Sequence, residues 1–289
     1  MTEVMTSSIG TAWREARNRF RAADVDTPEL DARLLAQAAF GLDQMGLLAH
    51  EKTAAPGEGL SRLQGFAARR LEGEPVARIL GYKEFYGLEF KLNDATLVPR
   101  PETEMLVDVA LGVLLPMPAP RFLDLGTGTG CVAIAVLVNV PAARAVAIDL
   151  SPEALVAAQT NAIRHGVIDR IAFRTGSWCA PLLAGEQFDL VLSNPPYVET
   201  EIIEDLSREV SEHDPRLALD GGEDGLAAYR HILADIAGHL KPRGTLAVEI
   251  GSEQGLEVGA LLSAAGFADI DIRKDLAGLD RVALAHQIG

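Results

Sequence analysis

Cysteine is scarce in this 289-residue chain: only Cys131 and Cys179 occur. Two thiols cannot build a disulfide framework, and theirs is not metal-ligand spacing. A reducing compartment, the cytoplasm, is the expectation. Long apolar runs are missing too. No uncharged stretch reaches the roughly 18 residues that a membrane helix needs. Residues 132–140 are apolar, but the run is short and lies inside a strand–helix pattern. Residues 1–10 have neither a basic head nor an apolar centre, so no secretory signal is read there. The six histidines show no metal spacing, and no Gly-x-Ser-x-Gly elbow occurs. No metal is expected. Positive charge is in deficit, with 26 Lys and Arg against 41 Asp and Glu, a net −15. Such a chain repels phosphate backbones unless a local basic patch overrides the sum, so no DNA partner is expected. The early arginines, Arg14, Arg17, Arg19, Arg21, Arg69, Arg70 and Arg78, are spaced as on solvated helix faces.

What is present is a globular composition, 48% hydrophobic and 23% charged, long enough for a large domain and a smaller one. Residues 1–75 are rich in Ala, Leu, Arg and Glu and read as a small helical domain. Thr27, Pro28 and Glu29 open one helix, Gly41 closes it, and another covers about 59–71. Residues 76–98 read as a linker carrying a hairpin, 82–85 and 88–92 with a turn near Gly87. Pro101 starts a helix with acids in its first turn. From 99 onward the pattern becomes α/β. Strands are predicted at 121–125, 145–149, 171–174, 188–193 and 244–250, with helices between them, such as 152–164 capped by Ser151. Late strands at 268–273 and 281–285 are joined by too short a loop for a crossover, so they pair antiparallel. The fold class is therefore α/β, a doubly wound Rossmann-like sheet of parallel strands with an antiparallel C-terminal pair, plus the helical N-terminal domain.

Two motifs sit at carboxyl ends of the predicted strands, where open α/β sheets bind ligands. Gly126-Thr127-Gly128-Thr129-Gly130 follows the first strand, and Asp149 ends the second. Glycines let a ligand approach the backbone, and a carboxylate at Asp149 can accept both ribose hydroxyls of a nucleoside. Together they indicate a nucleoside cofactor without separating NAD from S-adenosyl-L-methionine. Trp178, after the third strand, stands where an adenine ring could be covered; packing into the core is an equal alternative. Asn194-Pro195-Pro196-Tyr197 follows the fourth strand. Prolines have no N–H and fix φ, so the carbonyls of Asn194 and Pro195 stay out of a helix and can accept hydrogen bonds. An acceptor cluster with an aromatic wall suits holding an NH2 group while its nitrogen attacks. This motif and the antiparallel finish favour S-adenosylmethionine.

The chain closely resembles the bacterial release factor glutamine methyltransferases, the PrmC/HemK family. The resemblance is carried by residues 81–87 (Gly-Tyr-Lys-Glu-Phe-Tyr-Gly), 98–104 (Val-Pro-Arg-Pro-Glu-Thr-Glu), 123–130, 194–197, 215–226, 249–251 (Glu-Ile-Gly) and 274–281. It covers about residue 75 to the end; the helical part matches in length and character only. The segment Glu212-His213-Asp214 departs from the family pattern, in which a tyrosine and a glutamate are usual. The resemblance implies a class I methyltransferase that moves a methyl group from S-adenosylmethionine to the side-chain amide nitrogen (N5) of glutamine. That glutamine lies in the Gly-Gly-Gln loop of class 1 peptide chain release factors. By motif matching, Gly126 to Gly130, Asp149, Trp178 and Asn194 would bind the cofactor, and Asn194 to Tyr197 would hold the glutamine. Asn194, Pro195 and Tyr197 are assigned the catalytic work, and a monomer is expected. Two other readings fit parts of the sequence: a nucleic-acid methyltransferase using the same motif on a base NH2, and a non-catalytic cofactor-dependent scaffold. The acidic balance argues against the first, the intact Asn194 and glycine loop against the second.

Overall fold

Ser8 starts the first helix of the computed structural model by accepting the Thr11 amide at 3.1 Å, as a capping hydroxyl does. The structure describes residues 7–287. The leader-free reading of residues 1–10 falls mostly outside them. By internal packing the chain forms two units, one up to Gly81 and one from Tyr82. Among the described residues the first holds five helices: α1 (Ile9–Ala22), α2 (Pro28–Phe40), α3 (Gln44–Ala49), α4 (Gly57–Leu71) and α5 (Val76–Leu80). Phe20, Leu35 and Leu63 are at the centre of its core. Gly41 ends α2 at φ 66°, a left-handed value that glycine adopts without strain. Thr27 flanks α2 without capping its backbone; its hydroxyl donates instead to Asp31 at 2.8 Å. Asp31 in turn takes a 2.6 Å ion pair from Arg70. Both partners are buried, so Arg70 lies inside the helical unit and not on the solvated face read from its spacing. Burial of an arginine is tolerated here because a carboxylate meets it.

The second unit opens with the hairpin β1 (Tyr82–Phe85) and β2 (Leu88–Lys91), paired antiparallel. A 3₁₀ turn over Pro101–Thr103 leads into α6 (Glu104–Leu114). Then strands and helices alternate: β3 (Arg121–Leu125), α7 (Cys131–Asn139), β4 (Arg144–Asp149), α8 (Pro152–Arg164), β5 (Ile171–Thr175) and β6 (Phe188–Ser193). After the short α9 (Arg208–Ser211) and α10 (Ala227–Asp235) come β7 (Leu240–Glu249), α11 (Gly255–Ala264), β8 (Phe267–Lys274) and β9 (Asp280–Gln287). The sheet order is β5-β4-β3-β6-β7-β9-β8. The first five strands run parallel, and β9 enters antiparallel between β7 and β8. This is the expected doubly wound sheet with an antiparallel finish. Two apolar layers cover its faces, one around Phe122, Ile134 and Leu190, the other around Leu123, Val191 and Leu246. Strands buried on both faces read as continuous apolar runs. Among the described residues, no helix is long and apolar enough to cross a membrane.

The order reverses at β3: from it the chain moves outward to β4 and β5, then returns to the other side with β6. Such a switch point opens a crevice at the strands' carboxyl ends. The turns after β3, β4 and β6 all come to that edge.

Candidate active site

A cavity of about 340 Å³ lies in this crevice, within the range of small-molecule sites. Of the residues expected to serve a cofactor, Gly126, Thr127, Gly128, Thr129, Asp149, Trp178 and Asn194 line it. Gly126 and Gly128 sit at φ 70° and 54°, where a side chain would be strained. The Gly128 amide donates to an Asp149 oxygen at 2.8 Å, and the Ser151 amide to the other at 2.9 Å. These bonds aim the Asp149 carboxylate at the end of β4. Burial raises its pKa, against the pull of those two amides. Gly130 is not part of the lining. It begins α7 at φ 78°, and a Cβ there would lie 2.9 Å from Ile134 and 3.2 Å from Ala158. Its place is close packing between helices α7 and α8.

Trp178 is half-buried at φ 45°. It packs on the second apolar layer and also lines the cavity. Asn194 and Pro196 line the cavity; Pro195 and Tyr197 do not. The Asn194 side chain donates through Nδ2 to the Thr103 hydroxyl at 3.1 Å. Among the described residues its Oδ1 accepts nothing, and neither does the Pro195 carbonyl. The Tyr197 ring packs into the second apolar layer, and its hydroxyl donates to Glu249 at 3.4 Å. Burial and the Glu249 charge raise its pKa.

Behind the four-residue motif, segment 219–225 is laced to the chain. Val198 donates to the Leu219 carbonyl, and Gly221 to that of Val198, at 3.0 and 2.8 Å. The Gln254 amide donates to the Tyr197 carbonyl at 3.1 Å. A Cβ on Gly225 would meet that carbonyl oxygen at 2.5 Å. This is why glycine recurs in the Gly-Gly-Glu-Asp-Gly segment.

Several lining residues were not singled out from the sequence. Asp124, at the end of β3, is buried and takes the Thr127 hydroxyl at 2.6 Å. Burial pushes its carboxyl up to about 6, opposed by Thr127 and assisted by the charge of Asp149. Thr103 and Arg100 come from the stretch before α6. Arg100 reaches the buried Asp214 at 2.6 Å, which also accepts the Val98 amide at 3.2 Å. Asp124 was visible at a strand end beside glycines; nothing local signals the partnership of Thr103 with Asn194. Cys131 and Cys179 are buried thiols pushed up to about 12 and about 11 by burial, so neither is an activated nucleophile. No group of three or more His, Cys, Asp or Glu among the described residues could hold a metal ion.

A family model described as the PrmC N-terminal domain matches residues 11–81, and one described as a methyltransferase domain matches residues 122–213. The release factor glutamine methyltransferase of Bradyrhizobium diazoefficiens is 46% identical over 97% of this chain and 95% of its own length. The chain belongs to the release factor glutamine methyltransferase family. The relative of the same name from Caulobacter vibrioides is 42% identical over 97% of this chain and 96% of its own length. A solved methyltransferase from Pyrococcus furiosus shares the fold at a TM-score of 0.54 and 17% identity. It covers 78% of this chain, and all of that chain is matched.

A member of this family is an S-adenosylmethionine-dependent methyltransferase, and the donor set fits that cofactor. The glycine turn offers open backbone, since nothing lies within 4 Å of where a Gly128 Cβ would stand. Asp149 offers a carboxylate to a diol, and Trp178 an aromatic face.

Proposed function

We propose that this chain transfers a methyl group from S-adenosylmethionine to the side-chain amide nitrogen of glutamine in the Gly-Gly-Gln loop of class 1 peptide chain release factors. The observation that carries the reading is the Asn194 carboxamide at the cavity wall. Its nitrogen is spent on Thr103, which leaves its oxygen as an unpaired acceptor. The bound cofactor supplies an electrophilic methyl group. This chain's residues have to hold the acceptor nitrogen still and let charge build on it.

An amide nitrogen is a weak nucleophile because its lone pair is shared with the carbonyl. Two acceptors on its two N–H bonds favour positive charge at nitrogen and fix its direction. We assign these acceptors to the Asn194 Oδ1 and the Pro195 carbonyl. Pre-placed acceptors cost no reorganisation when the reaction occurs, and alignment alone removes much of the barrier. No proton needs to leave before methyl transfer; afterwards the cationic amide is strongly acidic and loses it to water. Pro196 shapes the wall behind the glutamine, and the Tyr197 ring backs it from the second apolar layer. Asp149 and the turn residues 126–129 hold the cofactor, with Trp178 against its adenine.

The release factor must be gripped beyond one side chain. We assign this to the helical N-terminal unit and to the acidic stretch from Glu199 to Asp224. The deciding assay offers labelled S-adenosylmethionine with a class 1 release factor, DNA, RNA or no acceptor, followed by mass spectrometry of the product. One methyl on the glutamine amide is expected, from release factor only; label in nucleic acid, or in nothing, overturns the reading.

A further inference from the structure

Asn161 is the buried polar side chain of α8, and it is fully buried. Gly130 packs against Ala158, one turn earlier on the same helix. The Asn161 carboxamide is spent on three backbone groups. The Lys91 amide donates to its Oδ1 at 2.8 Å, and its Nδ2 donates to the carbonyls of Lys91 and Thr129, each at 3.0 Å. A leucine has the same branched shape, but only a carboxamide offers two donors and an acceptor from one planar head. Burying such a head is costly unless its bonds are made. Here they are made to two segments that the sequence keeps apart: Lys91 ends β2, and Thr129 lies in the cofactor turn.

Both segments lead into the cavity lining. Residues 126–129 line it directly, and the stretch leaving β2 supplies Ala95, Leu97, Pro99 and Arg100. That stretch is laid along α8, against its direction. The ring of His165, just past the helix, donates to the Glu89 carbonyl at 2.9 Å. Arg164 pairs with the Glu89 carboxylate. Asn161 follows at Lys91, and the Asn93 side chain then donates to the Glu153 carbonyl at 2.7 Å. The front of the turn is held by β4, since the Gly126 and Thr127 amides donate to the Ile148 carbonyl at 2.8 and 3.0 Å. Its back is held by α8, through Asn161.

We propose that Asn161 is a positioning residue for the cofactor, fixing the spacing between the 126–129 turn and the 95–100 stretch and so the width of the cavity they line. The side chain is not itself part of that lining; it acts through two backbones. The inference rests on the cofactor placement given above and is independent of the acceptor. With the tie in place, turn and stretch meet the ligand at the right separation from the start. Without it, binding has to restore the separation, and that ordering cost is taken from the affinity. Once the cofactor is seated, Asn194 and Thr103 are unchanged, so turnover at saturating cofactor is spared.

The test uses the full chain and three variants. Asn161→Asp keeps the size and the acceptor for Lys91 but loses both donors, and Asn161→Leu removes all three bonds. His165→Phe is the comparison: it removes a neighbouring tie between β2 and α8 but keeps the ring contact with Phe90, whose centroid is 5.2 Å away. All three should lower the unfolding temperature. Only the Asn161 variants should weaken S-adenosylmethionine binding in calorimetry, by roughly tenfold, the equivalent of one hydrogen bond to the ligand. The KM for cofactor should rise in step while kcat for methyl transfer to release factor stays within about twofold, the pattern of lost uniform binding. Nitrogen NMR of the parent protein needs no variant, and it decides the matter should both Asn161 variants unfold. The Asn161 side-chain signal should shift as S-adenosylmethionine is added, and the His165 ring signal should not.

If Asn161 only fastens the hairpin to the helix, His165→Phe weakens binding as much as Asn161→Asp, and the proposal falls. It falls too if Asn161→Asp binds cofactor like the parent, or if the Asn161 signal ignores the cofactor. Where Asp149→Ala still weakens binding, such a failure strikes this inference alone; where it does not, the cofactor placement falls as well. The binding readouts need no acceptor, so they decide the role of Asn161 even if release factor is not methylated.

Discussion

Arg100 and Asp214 are 114 positions apart in sequence, yet the guanidinium donates to the carboxylate at 2.6 Å. Asp214 is buried, while the Arg100 side chain is 36% exposed. The pair joins the stretch before α6 to the segment after α9, and both flanks supply cavity wall. Asp214→Ala removes the acceptor of Arg100 and of the Val98 amide together. We expect a loss of about 1–3 kcal/mol in stability, chiefly from the buried Val98 amide left without its acceptor, and weaker cofactor binding because Pro99, Arg100 and Leu217 lose their register. Thermal unfolding and calorimetry measure the two effects.

Asp149 gives a separable effect. Its carboxylate is aimed by the Gly128 and Ser151 amides, and its pKa is raised by burial. Asp149→Ala should weaken S-adenosylmethionine binding by about 2 kcal/mol, a charged hydrogen-bond pair's worth. The variant's kcat at saturating cofactor should be nearly that of the parent. Because the pKa is raised, cofactor affinity should begin to fall at a higher pH than for an ordinary aspartate. Calorimetric titrations at a series of pH values read both.

Asn194→Ala should do the reverse. We expect kcat to fall by roughly 10²–10³-fold, the cost of one pre-placed polar group at a reacting centre, while cofactor Kd changes little. Single-turnover methylation with calorimetry separates the two, and an Asn194→Ala enzyme with full turnover excludes the role given to this residue.

The Asp124 carboxyl makes a pH prediction whose sign follows from its shift. It rises from 3.8 to about 6 in the folded chain. Between those values the folded chain binds more protons than the unfolded one, so its contribution to stability declines as pH rises through that window. Glu186 acts oppositely: its pairing with Arg174 holds it down to about 2, from 4.5. Its contribution is present above 4.5 and is lost as pH falls toward 2. Unfolding midpoints in urea against pH should show the Asp124 decline between about 4 and 6, and Asp124→Asn should flatten it.

The elements that position the site were legible where one segment carries its own signal. The runs over β3 and β6 are apolar on both faces, and α8 announces itself by Ser151, which accepts the Ala154 amide at 3.1 Å. The start of β7 was not legible. It begins at Leu240 and not near 244, because Pro242 and Arg243, at φ 62°, interrupt the pattern while a register shift opposite Phe188 absorbs them. Also hidden were pairings made only by the fold. Thr103 meets Asn194, Arg100 meets Asp214 and Asp31 meets Arg70 because helices and strands bring distant positions together. No local periodicity encodes such a meeting. The insertion of β9 between β7 and β8 is hidden for the same reason, since antiparallel pairing of the last two strands fits either order.

The acidic stretch after the motif makes the last prediction. Glu201 and Glu204 are exposed on the 3₁₀ turn Thr200–Asp205, and nothing in the chemistry of methyl transfer needs them. If they meet a basic face of the release factor, their charge raises the encounter rate, and the effect weakens as salt screens it. The double reversal Glu201→Lys with Glu204→Lys should therefore cut kcat/KM for whole release factor by about tenfold at low salt, within the range that steering provides. The deficit should shrink toward about 1 M salt, where the screening length is only some 3 Å. A short peptide carrying the Gly-Gly-Gln sequence has no such face and should be methylated equally by both forms. Equal slowing of peptide and protein would move these residues from docking to the architecture of the site, and a salt-independent deficit would remove the electrostatic reading.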